Sequence, residues 1–334
     1  MRVQQELTAR LVKTIFYIFN LADDDNKMRV KKAFKMNLLP KLVSFLHPIS
    51  SNEHVVECQA FAMNCIHSLA WYHSEAVMET EAVSLMLRLC LASKNSYLLF
   101  YGAKMLKTLS MSPSATRIVP ETTKKFDNGP FLQQLTSFWL SGLHVESPER
   151  TTIVQFTCQS IKHICEAEYT KGEAVIIDLL FIILQKDETT GVLNVVLSLL
   201  DRSKADKLPK PIPHCVAQVI RAVFQTMPQE QIPTVLMSFP QILPLLIKFL
   251  VPLKSTGIAE PKSQDACFVL KLVAEHETHK NRITQAISVL EPSSKVQGVL
   301  VMLRDYRDFA DDVELKESAN TLLNAIESDL LVYL

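Results

Sequence analysis

In nearly every hydrophobic stretch of this chain, apolar side chains recur every three or four residues. That spacing belongs to helices with one buried face, and it limits the fold more than any other feature. Leu38, Leu39, Leu42, Phe45 and Leu46 make one such face. Val56, Ala60, Met63, Ile66, Leu69 and Ala70 make another over 53–71. Over 3–22 the expected inner face is Leu7, Leu11, Ile15 and Ile18, with Val12, Phe16 and Phe19 on other sides. Only 7 glycines occur in 334 residues, too few for an architecture that spends glycine on strand turns and phosphate loops. The fold class expected is all-α. With 48% hydrophobic residues the chain can bury a large core, but it is too long for one helical bundle.

Polar punctuation separates the helices. Asn20-Leu21-Ala22 closes the first, and Asp23 to Asn26 is a turn. Lys27 to Lys35 is basic, Asn37 is expected to cap the next helix, and Pro40 to sit in its first turn. Further helices are expected over 53–71, 74–80, 82–92, 96–110, 130–143, 147–167, 172–185 and 189–200, with Asp127-Asn128-Gly129-Pro130 as the clearest turn. Nine of the 16 prolines then fall between 209 and 261, so 215–261 reads as short helices. Regular spacing returns over 263–277, 280–290, 293–306 and 311–331. Cys65-Ile66-His67-Ser68-Leu69 matches Met105-Leu106-Lys107-Thr108-Leu109 at an offset of 40, within the period of two- and three-helix repeats.

The stretch from Phe16 to Leu46 resembles the junction between two armadillo repeats: the end of one third helix, then a short first helix and an apolar second. The resemblance is best at 13–110 and 263–334. It implies a right-handed α-solenoid of armadillo/HEAT-like helical repeats. Residues 1–200 would be armadillo-like with an incomplete first repeat, 201–261 a proline-rich, HEAT-like segment, and 262–334 C-terminal repeats and a cap. The missing start of the first repeat suggests a fragment or isoform of a longer chain. Met36-Asn37 and Thr80-Glu81 stand where armadillo repeats usually carry glycine.

Nuclear-import adaptors of this fold carry a Trp, and an Asn four residues later, on successive third helices. The matching pairs here are Phe16/Asn20, Asn64/Ser68 and Lys104/Thr108, with Gln159/His163 as a further pair. Only the first approaches the pattern, so an importin-like receptor is not implied. A concave groove that takes a protein or extended peptide is. Its candidate residues are Phe16 for apolar contact, Asn20, Asn64, Ser68 and Thr108 for hydrogen bonds, and Lys104 for an acidic side chain.

Other functions find less support. Lys+Arg and Asp+Glu both total 35, which argues against nucleic-acid binding driven by global charge. A local alternative is the basic patch Lys27, Arg29, Lys31, Lys32 and Lys35, within an adaptor face over 27–41 for nucleic acid or acidic lipid; as a plain solvated helix it needs no ligand. Cys58/Cys65 and Cys158/Cys165 lack the close pairing of zinc sites and read as core residues. His276 and His279 read as surface histidines. No Gly-rich phosphate loop, nucleophile elbow or calcium loop occurs. The reading is a non-enzymatic interaction scaffold without cofactor or metal, in a larger complex or longer chain. Seven scattered cysteines fit a cytoplasmic or nuclear setting. The most apolar run, 174–184, is too short to span a bilayer.

Overall fold

The computed structural model describes residues 10–15, 17, 37–47, 52–93, 95–113, 115–118, 129–171, 191–201, 211–251, 261–288 and 293–330. Among them the secondary structure is helical, with no strand. The chain divides into two compact units, Met1–Leu199 and Leu200–Leu334.

In the first unit the helices are α1 (Leu38–Ser44), α2 (Glu53–Met78), α3 (Ala82–Ser93), α4 (Ser96–Ser110), α5 (Gly129–His144), α6 (Arg150–Lys171) and α7 (Val192–Asp201), which runs two residues past the division. Asparagines start two of them. The Oδ1 of Asn52 accepts from the His54 amide at 3.0 Å, and that of Asn95 accepts from the Tyr97 and Leu98 amides at 2.9 and 3.2 Å. These bonds satisfy amides that a helix start leaves unpaired. Asn37 does otherwise. It precedes α1 in the left-handed region at φ 55° and makes no side-chain cap, and Pro40 is the third helical residue.

The longer helices pack side by side, α2 on α4 and α4 on α6. A second layer is formed by α3 on α5, while α1 packs on α2. Leu39, Leu42, Val43 and Leu46 of the α1 segment are buried. Each fully buried leucine is favoured by about 1.5–3 kcal/mol over an exposed one. The N-terminal helical piece corrects the expected register: Leu11 is 59% exposed, whereas Val12 is fully buried. One residue is a 100° rotation on a helix, so the inner face lies to the side of the Leu11 stripe. At His73 (φ −140°, ψ 48°) α2 kinks, dividing the expected 53–71 helix from the short helix after it. Gly102 lets α4 lie close to its neighbours, because a Cβ there would stand 2.8 Å from Cys90 Sγ and 3.2 Å from Phe138 Cε2. Trp139, fully buried, donates its indole N–H to Ser160 Oγ at 3.1 Å, joining α5 to α6.

In the second unit the helices are α8 (Pro211–Thr226), α9 (Ile232–Ser238), α10 (Ile242–Leu250), α11 (Pro261–Ala274), α12 (Glu277–Ser288), α13 (Ser293–Phe309) and α14 (Val313–Leu330). The expectation of short helices over 215–261 holds for α9 and α10 and fails for α8, which has 16 residues. Pro211 and Pro213 fall in its first turn, where a missing N–H leaves no bond unmade. One layer is α8 on α11 and α11 on α14; α10 packs on α11 and α12, and α13 on α14. Asp312 Oδ1 caps α14 by accepting from the Glu314 and Leu315 amides at 2.8 and 3.2 Å.

The two units share a structural element. Residues 38–46, LLPKLVSFL, and 242–250, ILPLLIKFL, agree at Leu39/Leu243, Pro40/Pro244, Leu42/Leu246, Phe45/Phe249 and Leu46/Leu250. In each, the phenylalanine carbonyl accepts a hydrogen bond from a side chain 14 residues on: Gln59 Nε2 to Phe45 at 3.2 Å, Ser263 Oγ to Phe249 at 2.7 Å. The end of the short helix is therefore tied to the following helix by a side chain 14 residues on in both units.

Arg221 cross-links the second unit. Its guanidinium donates to Asp265 at 3.2 Å and to Glu314 at 3.0 Å and lies over the Phe268 ring, 4.5 Å from its centroid. Three helices, α8, α11 and α14, meet at this one side chain. Among the described residues no single helix is long and apolar enough to cross a membrane; the bent pair Gln229–Ser238 and Ile242–Leu250 passes by length and composition alone.

Candidate functional site

The 40-residue offset returns as a physical contact on neighbouring helices. Lys104 Nζ on α4 donates to Asn64 Oδ1 on α2 at 3.0 Å. Three residues further along each helix stand His67 and Lys107, and seven along stand Trp71 and Met111. Spacings of three and seven keep all of them on one helix face. Trp71 is 57% exposed and Met111 48%, while His67, Lys104 and Lys107 are half-buried. On α6, His163 extends the row: its Nδ1 lies 3.4 Å from Ser110 Oγ of α4. The Ser110 hydroxyl donates to the Lys107 carbonyl at 2.7 Å, so its one proton is committed and His163 Nδ1 is the donor.

The row is cationic and short of counter-charge. Burial, and then Lys104 and Lys107, push the His67 imidazole down to about 3. Burial, Lys162 and Lys107 push His163 down to about 4. Burial lowers Lys104, helped by Lys107. Among the described residues no carboxylate pairs with Lys104 or Lys107; Lys162 meets Glu166 at 3.7 Å. His67 Nδ1 is buried without a hydrogen-bond partner. Half-sunk charges of one sign, with an orphaned ring nitrogen among them, form a surface that an anion would relieve.

Four of the expected groove residues lie in this region. Asn64 is 1% exposed and engaged with Lys104, so its side chain is held within the chain. Ser68 donates to the Asn64 carbonyl at 3.1 Å. Thr108 is 6% exposed. Lys104 is half-buried, its ammonium donating to Asn64. Thr108 turns toward packing, His67, Ser68 and Lys107 are half-buried, and the positions seven on, Trp71 and Met111, are the open ones. The offset of 40 pairs His67 with Lys107 in the sequence, and this signal would have found them had the spacing not been taken from import adaptors. Phe16, Asn20, Lys27, Arg29, Lys31, Lys32 and Lys35, and the apolar run 174–184, lie outside the described residues.

Other clusters resolve differently. All seven cysteines are buried, and burial raises the thiols of Cys65 and Cys267 to about 12. No group of three or more His, Cys, Asp or Glu suited to a metal occurs among the described residues. His279, expected at the surface, is buried; its Nδ1 lies 3.4 Å from Arg282, and burial, Arg282 and His276 lower it.

No family model matches the chain, and no curated protein matches it. Among solved structures, one described as the crystal structure of an engineered protein aligns with a TM-score of 0.54 at 16% identity, over 87% of this chain and 96% of that one. At that identity the likeness is one of fold. A chain from a study of a phosphorylation switch between cadherin and beta-catenin aligns with a TM-score of 0.45 at 14% identity, over 97% of this chain and 75% of that one, too weak to bear on function.

Proposed function

We propose that this chain is a non-enzymatic scaffold that binds a partner protein along the layer formed by α2, α4 and α6. The reading takes the helices as armadillo-like repeats of a solenoid, in which third helices line a concave wall. Two features support that arrangement: the Asn64–Lys104 contact between residues 40 apart, and the repeated side-chain bond to the Phe45 and Phe249 carbonyls from 14 residues on. The observation that carries the function is the pair of exposed apolar side chains Trp71 and Met111, on the same helix faces as the half-buried Lys104 and Lys107. Exposed aromatic and thioether groups next to under-compensated cations make a surface that gains by being covered. A reducing setting, cytoplasmic or nuclear, suits seven buried cysteines.

The test is cross-linking mass spectrometry on complexes captured with the full chain, alongside a Trp71→Ala, Met111→Ala variant. Cross-links are expected from Lys104, Lys107 and Lys162, with capture reduced in the variant. Cross-links confined to other helices, with undiminished capture, would refute the reading.

A further inference from the structure

We infer that the turn joining α13 to α14 is a further docking surface, which takes a basic, apolar-bearing segment of a partner protein. It lies on the second unit and does not depend on the role of α2, α4 and α6. Phe309, the last residue of α13, is 79% exposed, and Val313, the first of α14, is 68% exposed. They are the two most exposed large apolar side chains among the described residues. Only Ala310, Asp311 and Asp312 separate them, so their Cα atoms stand no more than about 14 Å apart. Val301, also exposed, precedes Phe309 by eight residues, with Asp305 midway, so these three share one face of α13. The turn sits on a packed base. Leu303, Tyr306 and Leu315 are buried, Arg304 of α13 donates to Glu327 of α14 at 2.8 Å, and Asp312 caps α14. A single exposed valine is ordinary, whereas two large apolar groups fixed on one short turn gain by being covered.

Charge around the patch selects the occupant. Residues 301–317 carry six carboxylates and three cations, Arg304, Arg307 and Lys316. Arg304 is taken by Glu327, Arg307 by Asp308 and Glu314 by Arg221. Asp305, Asp311 and Glu317 are left, all exposed and without a paired cation among the described residues, against a half-buried Lys316. Asp305 stands four residues before Phe309, Glu317 four after Val313, and Asp311 between the two apolar groups. Four residues along a helix is a neighbouring position on one face, so each apolar group has a carboxylate beside it. A segment bearing Lys or Arg meets both features: its aliphatic stems lie along Phe309 and Val313 while its charged heads reach the carboxylates. Phosphate backbones and acidic lipid headgroups carry the same sign as the patch and are repelled by it.

The experiment titrates the full chain with a fluorescein-labelled peptide of Leu-Lys-Lys-Leu repeats, its Glu-for-Lys counterpart and its Ser-for-Leu counterpart, by fluorescence anisotropy. The Leu-Lys peptide is expected to bind at least about tenfold tighter than either counterpart. Phe309→Ala, Val313→Ala should weaken it at least about fivefold. Asp305→Asn, Asp311→Asn, Glu317→Gln should weaken it at least about threefold and flatten its salt dependence. Met237→Ala, at an exposed apolar position on α9, and Trp71→Ala, Met111→Ala should leave it unchanged. Equal binding of the Lys and Glu peptides, or an effect at Phe309 and Val313 no larger than that of Met237→Ala, overturns the inference. Self-association of the chain by analytical ultracentrifugation, lost in Phe309→Ala, Val313→Ala, also overturns it and assigns the surface to a second copy. Loss of the peptide in Trp71→Ala, Met111→Ala with full binding in the Phe309, Val313 variant overturns it too and moves the basic segment to the α2, α4 and α6 layer.

Discussion

Arg221→Ala should be the most damaging charge truncation in the second unit, and its cost can be built from its contacts. The pair with Glu314 is solvent-exposed and contributes about 0.2–1 kcal/mol. The guanidinium over Phe268 adds about 0.5–1 kcal/mol. The decisive part is Asp265, whose side chain is only 10% exposed. Withdrawing its charged donor removes a charge-assisted hydrogen bond from a largely desolvated carboxylate, at about 1.5–3 kcal/mol. His214 Nδ1, 3.9 Å from Asp265, compensates poorly at that distance. The total is about 2–5 kcal/mol, a large part of the roughly 5–15 kcal/mol that holds a domain together. Tryptophan fluorescence is blind to this change, because both tryptophans, Trp71 and Trp139, lie in the first unit. Hydrogen exchange by mass spectrometry, read on peptides from α8, α11 and α14, is the suitable assay. Protection there should fall by the full amount. An Arg221→Met, Asp265→Asn double variant should lose less than Arg221→Ala alone, because it removes the buried charge along with its partner. A loss below about 0.5 kcal/mol for Arg221→Ala, or strictly additive losses in the double variant, would refute this account of the node.

Leu42→Ala empties a fully buried position on α1 and should cost about 2–5 kcal/mol; an unchanged urea midpoint would show that the side chain is not packed. Gly102→Ala places a methyl 2.8 Å from Cys90 Sγ and should cost about 1–3 kcal/mol, partly recovered by adding Cys90→Ala; thermal melts of the single and double variants decide it. Acid should weaken the first unit through His67. Burial, helped by Lys104 and Lys107, holds its folded pKa to about 3, below the ordinary imidazole value of 6.5, so the unfolded chain binds the proton first. Stability contributed by the neutral ring is present above pH 6.5 and is lost as pH falls from there toward 3, by up to about 1 kcal/mol per pH unit. Urea unfolding followed by tryptophan fluorescence between pH 7.5 and 5 should show this slope flattened in His67→Gln, and an unaltered slope counts against a buried neutral imidazole.

Local sequence determined where helices begin and end wherever the signal was chemical and short-ranged. Asn52, Asn95 and Asp312 cap as short polar side chains before apolar runs do, and the spacing of Leu39, Leu42 and Leu46 fixed their burial. The all-helical character follows from the same periodicity. Tertiary packing decided what local pattern leaves open. Leu11 and Val12 are nearly equivalent by hydrophobicity, and only the neighbouring helix selects Val12 for the inside. Pro211 and Pro213 read as helix breakers until α8 is seen to start there. The relation of 38–46 to 242–250 was present in the letters, yet it separates from coincidence only when Phe45 and Phe249 are both tied by a side chain 14 residues on. The candidate site shows the division most sharply. The sequence held the offset that pairs His67 with Lys107, but that Ser68 bonds the Asn64 carbonyl while His67 keeps an unpartnered buried nitrogen depends on how α2 leans against α4. A difference of one residue, 100° around a helix, is set by packing between helices and by nothing within one of them.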